Sequence, residues 1–187
     1  PGQTRDVHSD GSGGADLLGA RLDVMVLTIT NATVAVSSVA NLTISAGKAA
    51  VATVTAAGGT GARYTALKMS NVTGTGGLTG GYDLGFSASA TLGSLDYNSA
   101  AAGFSRLDWT RAFELDHTDA APDLIVLDGV TIDLAGSLEL AVNGTVSGAA
   151  GTGTILTAGP LTVGGTVGFA LTRQRLDVDT DGNGGAG

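Results

Sequence analysis

Between residues 130 and 142 apolar and polar side chains alternate. Val130, Ile132, Leu134, Leu138, Leu140 and Val142 stand on one parity, with Thr131, Asp133, Ala135, Ser137, Glu139 and Ala141 on the other. A helix would scatter the two acids through its apolar stripe, whereas a strand sends successive side chains to opposite faces. The stretch reads as one long strand with a single buried face. After glycine-rich turns over 148–159 a second such strand follows, with Leu161, Val163, Val167, Phe169 and Leu171 opposing Thr162, Gly164, Thr166, Gly168, Ala170 and Thr172. Alternation with one polar face belongs to antiparallel sheets that have one side in water. The expected fold is all-β, an elongated antiparallel β-sandwich-like unit with long strands. A β-helix or solenoid is the alternative, but it requires turns at one spacing of about 20–30 residues, and the turns here are uneven.

Upstream the same logic places further strands. Leu22, Val24 and Val26 on one parity and Met25, Leu27 and Ile29 on the other predict a piece buried on both sides. Cleaner alternation follows through Val34, Val36, Leu42 and Ile44. Val51 and Val54 fall out of phase, which predicts a bulge. Turns are expected at 55–63 and 74–81, where glycines cluster, with strands over 64–72 and 82–90. Residues 96–123 hold the sole Trp and many charges and read as a loop capping one end of a sheet. A faint match of Thr33 to Ile44 with Thr131 to Val142 divides the unit into candidate halves, 17–95 and 124–176, joined by 96–123.

Composition narrows the function classes. Aromatics are 4% of the chain, so any core is thin or built from small side chains, and 31 Gly with 3 Pro and no collagen spacing point to turns and close strand contacts. With no Cys there is neither a disulfide nor a thiolate site. Seventeen acids against nine bases give a net charge of −8, which argues against nucleic acid and anionic membranes as partners and makes divalent cations the natural counter-ions. No apolar run of about eighteen residues predicts a membrane span, and no basic segment followed by an apolar one predicts a signal peptide.

The two ends carry related acidic loops. Asp6, Asp10, Gly11, Gly13, Gly14 and Ala15 recur as Asp177, Asp181, Gly182, Gly184, Gly185 and Ala186 at a constant, ungapped offset of 171, as from Asp6 to Asp177. The chain reads as one period of a tandem array: junction 1–16, β-rich unit 17–176, junction 177–187. Alternating carboxylates followed by Gly can converge their oxygens on one hard cation. Asp177, Asp179, Asp181 and Asn183 fit the opening of a calcium loop, Asn183 through its backbone carbonyl, and the position of the bidentate acid that closes an EF-hand falls beyond residue 187. Asp6, Asp10, Ser12 and Asp16 form the upstream candidate, where residues 11–19 also fit a calcium nonapeptide with Ser12 in place of Gly. A solvated Asp/Gly linker is the plainer reading of both loops.

Other groupings are weaker. His117 between Asp116 and Asp119 lacks a nucleophile elbow, and no enzyme is expected. Glu114, Asp116, Asp119 and Asp123 form an acidic loop more simply than a second cation site. Asn31, Asn41, Asn71 and Asn143 each begin an N-x-T sequon. A carbohydrate- or surface-binding role needs exposed aromatics, and Trp109 with Tyr97 or Phe113 is the available cluster.

The strings over 130–145 and 161–171, together with the Asp/Gly junctions, resemble repeat modules of giant bacterial surface proteins, the large RTX-type adhesins. The resemblance implies an extracellular, cell-surface structural repeat whose Ca2+-binding junctions stiffen an array. Its partners would be neighbouring repeats of the same chain or identical subunits, with glycans or another surface beyond them. Two departures stand out: the nonapeptide is not iterated, and the junctions lack an evident final ligand.

Overall fold

The computed structural model describes residues 3–7, 17–36, 40–78, 87–114, 122–148, 152–158 and 160–176. Within these the strands are β1 (Gln3–Val7), β2 (Leu17–Val36), β3 (Ala40–Thr55), β4 (Arg63–Leu78), β5 (Ser87–Ala100), β6 (Ile125–Leu127), β7 (Val130–Ile132), β8 (Leu138–Gly148), β9 (Thr154–Ala158), β10 (Leu161–Gly164) and β11 (Thr166–Gln174). Seven of them form one sheet in the order β1-β2-β3-β4-β5-β8-β11, and β6–β7 and β9–β10 form two small ribbons. Every pairing is antiparallel. The protein is all-β, with a large open antiparallel sheet, a smaller layer on one face and no closed barrel. The parallel coils of a solenoid are not found among the described residues. At about 3.3 Å per residue, the 20 residues of β2 reach about 66 Å.

Several expected boundaries move. The strand expected over 130–142 is two strands. Val130–Ile132 pairs with β6 across Asp128-Gly129, both at positive φ (45° and 79°), as a tight two-residue hairpin turn demands. Leu138–Gly148 then joins the main sheet. The stretch 161–172 likewise splits at Gly165 (φ 119°), with β10 on β9 and β11 on β8. β9 lies where only turns were expected, and β4 runs through Gly74, Gly76 and Gly77 instead of turning there. β5 starts at Ser87, and residues 79–86 lie outside the described part.

The core forms on one face of one half of the sheet. Cross-strand pairing aligns Leu22, Val54, Tyr64 and Ala100, and beside them Val24, Ala52, Ala66 and Asn98. Over this face the irregular segment 101–114 and the β6–β7 ribbon bury Leu107, Trp109, Ala112, Phe113, Ile125, Val130, Ile132 and Leu134. Fully burying a side chain of Leu or Phe size contributes about 1.5–3 kcal/mol, so this cap supplies most of the large apolar contacts. Small Ala residues at 50, 52 and 66 let it sit close to the sheet.

The opposite face carries two apolar rows with no such cover. Met25, Val51, Leu67, Tyr97 and Leu140 stand side by side, as do Leu27, Ala49, Met69, Leu95, Val142 and Leu171. The expectation that the 22–29 stretch is buried on both sides is therefore corrected: Met25 is 58% exposed and Leu27 52%. The cap packs on the other face of the sheet, and β1 pairs with β2 only between Leu17 and Leu22, which leaves the rest of β2 an edge.

A crease crosses the sheet. Asn31 of β2 and Asn71 of β4 both adopt φ 52°, a left-handed conformation that Asn tolerates better than most residues. Register shifts fall at the same level, in β3 at Ile44 to Lys48 and between β5 and β8 at Leu92 to Ser94. The bulge expected at Val51 and Val54 is thus displaced to Ile44–Lys48. Gly47 and Gly93 sit on this line because added Cβ atoms would stand 2.8 Å from Val72 Cγ2 and 2.4 Å from Asn143 Oδ1. Asn143 donates to Ser94 Oγ at 2.7 Å. Three of the four sequon asparagines thereby have structural roles on one line.

Candidate functional site

β5 and β8 stop pairing beyond Tyr97 and Leu140. β5 continues to Ala100 beside β4, while the chain entering β8 bends at Gly136, where a Cβ would come within 3.2 Å of the Arg106 carbonyl oxygen. The wedge between them is a cleft of about 1000 Å3 bordered by Tyr97, Phe104, Arg106, Glu139 and Arg175. Tyr97 and Phe104 are 39% and 40% exposed, and Phe104 stands edge-on to the buried Tyr64 at 6.5 Å. Arg106 donates from Nε to Gly136 O (3.3 Å) and from Nη2 to Ser137 O (3.1 Å). Its Nη1 reaches Glu139 Oε2 at 3.5 Å, and Arg173 Nη1 reaches the other oxygen at 3.1 Å. The carboxylate is shared by two guanidiniums, which fixes the rim and leaves aromatic surface and charge facing solvent.

One buried polar residue holds the floor of this region. Asn98 is fully buried, donates from Nδ2 to Leu107 O (2.9 Å) and Ala135 O (3.0 Å), and accepts the Trp109 indole N–H at 3.0 Å. A buried amide with both ends satisfied specifies a position, and here it pins both arms of the cap to β5. Lys residues staple the rim: Lys48 donates to Asp128 O and Oδ2 (2.9 and 2.8 Å), and Lys68 pairs with Asp133. Asp96 faces Lys68 at 4.0 Å, and its Oδ1 is buried without a hydrogen-bond partner. Burial raises its carboxyl above the ordinary value of 3.8, Lys68 opposes this and Asp133 adds to it.

Of the predicted cation ligands, Asp6 lies in β1, between the residues where the β1–β2 register shifts. Asp10, Ser12, Asp16, Asp177, Asp179, Asp181 and Asn183 lie outside the described residues, as do His8, Asp116, His117 and Asp119. Among the described residues no group of three or more His, Cys, Asp or Glu side chains is placed to hold a metal. Glu114 and Asp123 are described, and the Asp123 amide donates to Phe113 O at 2.7 Å, closing the cap loop. The aromatic cluster is corrected: Trp109 is fully buried and Phe113 1% exposed, so neither offers a platform to a ligand. They stack on one another inside the core, 5.7 Å between centroids. Tyr97 remains accessible, joined by Phe104.

Asn98 and the Arg106–Glu139 pair escaped the reading of the residues. A signal for Asn98 existed, since it is the one Asn of six that belongs neither to a sequon nor to an acidic loop. Comparison with known families, with curated proteins and with solved structures finds no match.

Proposed function

We propose that this chain is a structural repeat of a large extracellular surface protein, an adhesin stalk or filament, whose acidic junctions bind calcium and stiffen the array. The observation that carries the reading is the placement of the related ends. The upstream acidic loop follows β1 and the downstream one follows β11, and these are the two opposite outer strands of one sheet. An array linked through them would bring clustered carboxylates to each boundary, where mutual repulsion favours flexibility until a divalent ion neutralises it. Among the described residues no helix is long and apolar enough to cross a membrane.

Calcium titration tests this. Binding should be seen by calorimetry, weaken on combined Asp177→Asn, Asp179→Asn and Asp181→Asn substitution, and raise the melting temperature relative to chelator. In the parent array, chelation should broaden the small-angle scattering envelope; an envelope indifferent to calcium, with no heat of binding, removes the proposal.

A second reading rests on the cleft. Tyr97 and Phe104 beside Arg106, Glu139 and Arg175 combine apolar faces with charged hydrogen-bonding groups, the chemistry that recognises a sugar ring. A glycan array whose signal disappears with Tyr97→Ala and Phe104→Ala would favour it over the structural role.

A further inference from the structure

The offset of 171 residues extends upstream of the acidic loops, and there it meets the strands. It aligns Gln3 with Gln174 and Val7 with Val178, so that the segment matching β1 begins on the last residue of β11. β1 is a docked strand of five residues: Gln3, Thr4 and Arg5 oppose Leu22, Arg21 and Ala20, and Val7 opposes Leu17. Its anchor is Val7, fully buried in the core cluster. The residue at the same place in the downstream copy is again Val.

The described start of the downstream copy turns backbone to the required side. Arg175 N donates to Ser137 O at 2.8 Å, so its amide faces its own unit. Successive residues of a strand turn their amides to opposite edges, so Gln174, the last residue of β11, turns its amide away from β8. It stands at the offset from Gln3. β11 is the outermost strand of the sheet on that side, and all nine of its residues are exposed.

From these relations we infer that residues 174–178 are a donor strand for the next unit: they dock on the edge of that unit's β2, in the place β1 occupies here, with Val178 filling the pocket that holds Val7. One strand then belongs to two sheets, and the boundary between units is a hydrogen-bonded ladder in place of a linker. The inference rests on the tandem-array reading and names the surface through which neighbours meet.

Two experiments test it, each in calcium and in chelator. In the full-length chain, Thr4→Arg with Arg5→Leu converts residues 3–7 into the downstream sequence. The melting temperature should stay within about 2 °C of the parent, less than 1 kcal/mol moves a chain of this size, and β2 amides 17–22 should keep their hydrogen-exchange protection. In a chain lacking residues 1–7, a peptide of residues 174–187 should bind and restore stability as a peptide of residues 1–16 does, and Val178→Asp in that peptide should abolish the rescue. A marked drop in melting temperature for the double variant, or rescue by the 1–16 peptide alone, overturns the inference; if the truncated chain folds with neither peptide, the double variant decides. Failure here with calcium dependence intact retires the donor strand and leaves the array reading standing.

Discussion

Trp109 donates its indole N–H to the amide oxygen of Asn98 at 3.0 Å, and both side chains are fully buried. Asn98→Ala strands that donor and the Leu107 carbonyl without partners, while the Ala135 carbonyl keeps the Leu138 amide at 3.0 Å. Each buried polar group left unsatisfied costs about 1–3 kcal/mol, so the variant should lose about 2 kcal/mol or more in denaturant titration. The near-ultraviolet dichroism of Trp109, the chain's single Trp, should flatten with it.

The Asp96 carboxyl offers a pH test. Burial raises its pKa above 3.8, despite Lys68 and with a further push from Asp133. The folded chain then holds this proton more tightly than the unfolded chain. Ionised Asp96 therefore costs stability at neutral pH, and the cost is relieved as pH falls through the raised value and is gone below 3.8. Asp96→Asn should be more stable than the parent at pH 7, with the gap closing on acidification. A gap that widens toward low pH would show the opposite sign of coupling.

Backbone geometry at the crease discriminates among substitutions. Asn31 and Asn71 at φ 52° should accept Gly with little change. A β-branched residue held in that region costs on the order of 1–3 kcal/mol, so Asn31→Val and Asn71→Val should each lower the denaturation midpoint. Equal tolerance of Val and Gly would mean that the crease is not a fixed feature.

The two faces of β2 should respond differently. Leu22 is 8% exposed and belongs to the core, so Leu22→Ala should cost about 2–5 kcal/mol. Met25 and Leu27 point to the open face, where Met25→Ser and Leu27→Ser should stay within about 0.5 kcal/mol of the parent. Thermal melts of the three variants decide this.

The sheet could be read from the chain because its signal is local. Leu138, Leu140 and Val142 alternate with Ser137, Glu139 and Ala141 at the strand period of two, although no residue of β8 is buried and Leu140 and Val142 stand on the open face. The break before Leu138 was hidden by the same rule: Ile132 and Leu134 face the core from the cap while Leu138 packs against it from the sheet, so the parity passes through the bend unchanged. Met25 and Leu27 depart from the expectation because an apolar side chain reports a preference, and the layer that would meet it lies on the other face of the sheet. Trp109 stands between Arg106, Asp108 and Arg111 in sequence, yet its indole turns inward to Asn98 while Arg106 and Asp108 line the cleft.

The register of the outer strands has a mechanical corollary. Gln3 stands level with Leu22, Val54, Tyr64 and Ala100, and Gln174 opposite Leu138, two residues from the Leu140–Tyr97 rung. The backbone thus enters and leaves at nearly the same height on opposite margins, six strand spacings or about 29 Å apart. Units strung this way lie with their strands athwart the filament, so a stretching load falls along the interstrand bonds and peels them singly. Such a thread should yield at low tension and lengthen in many small steps.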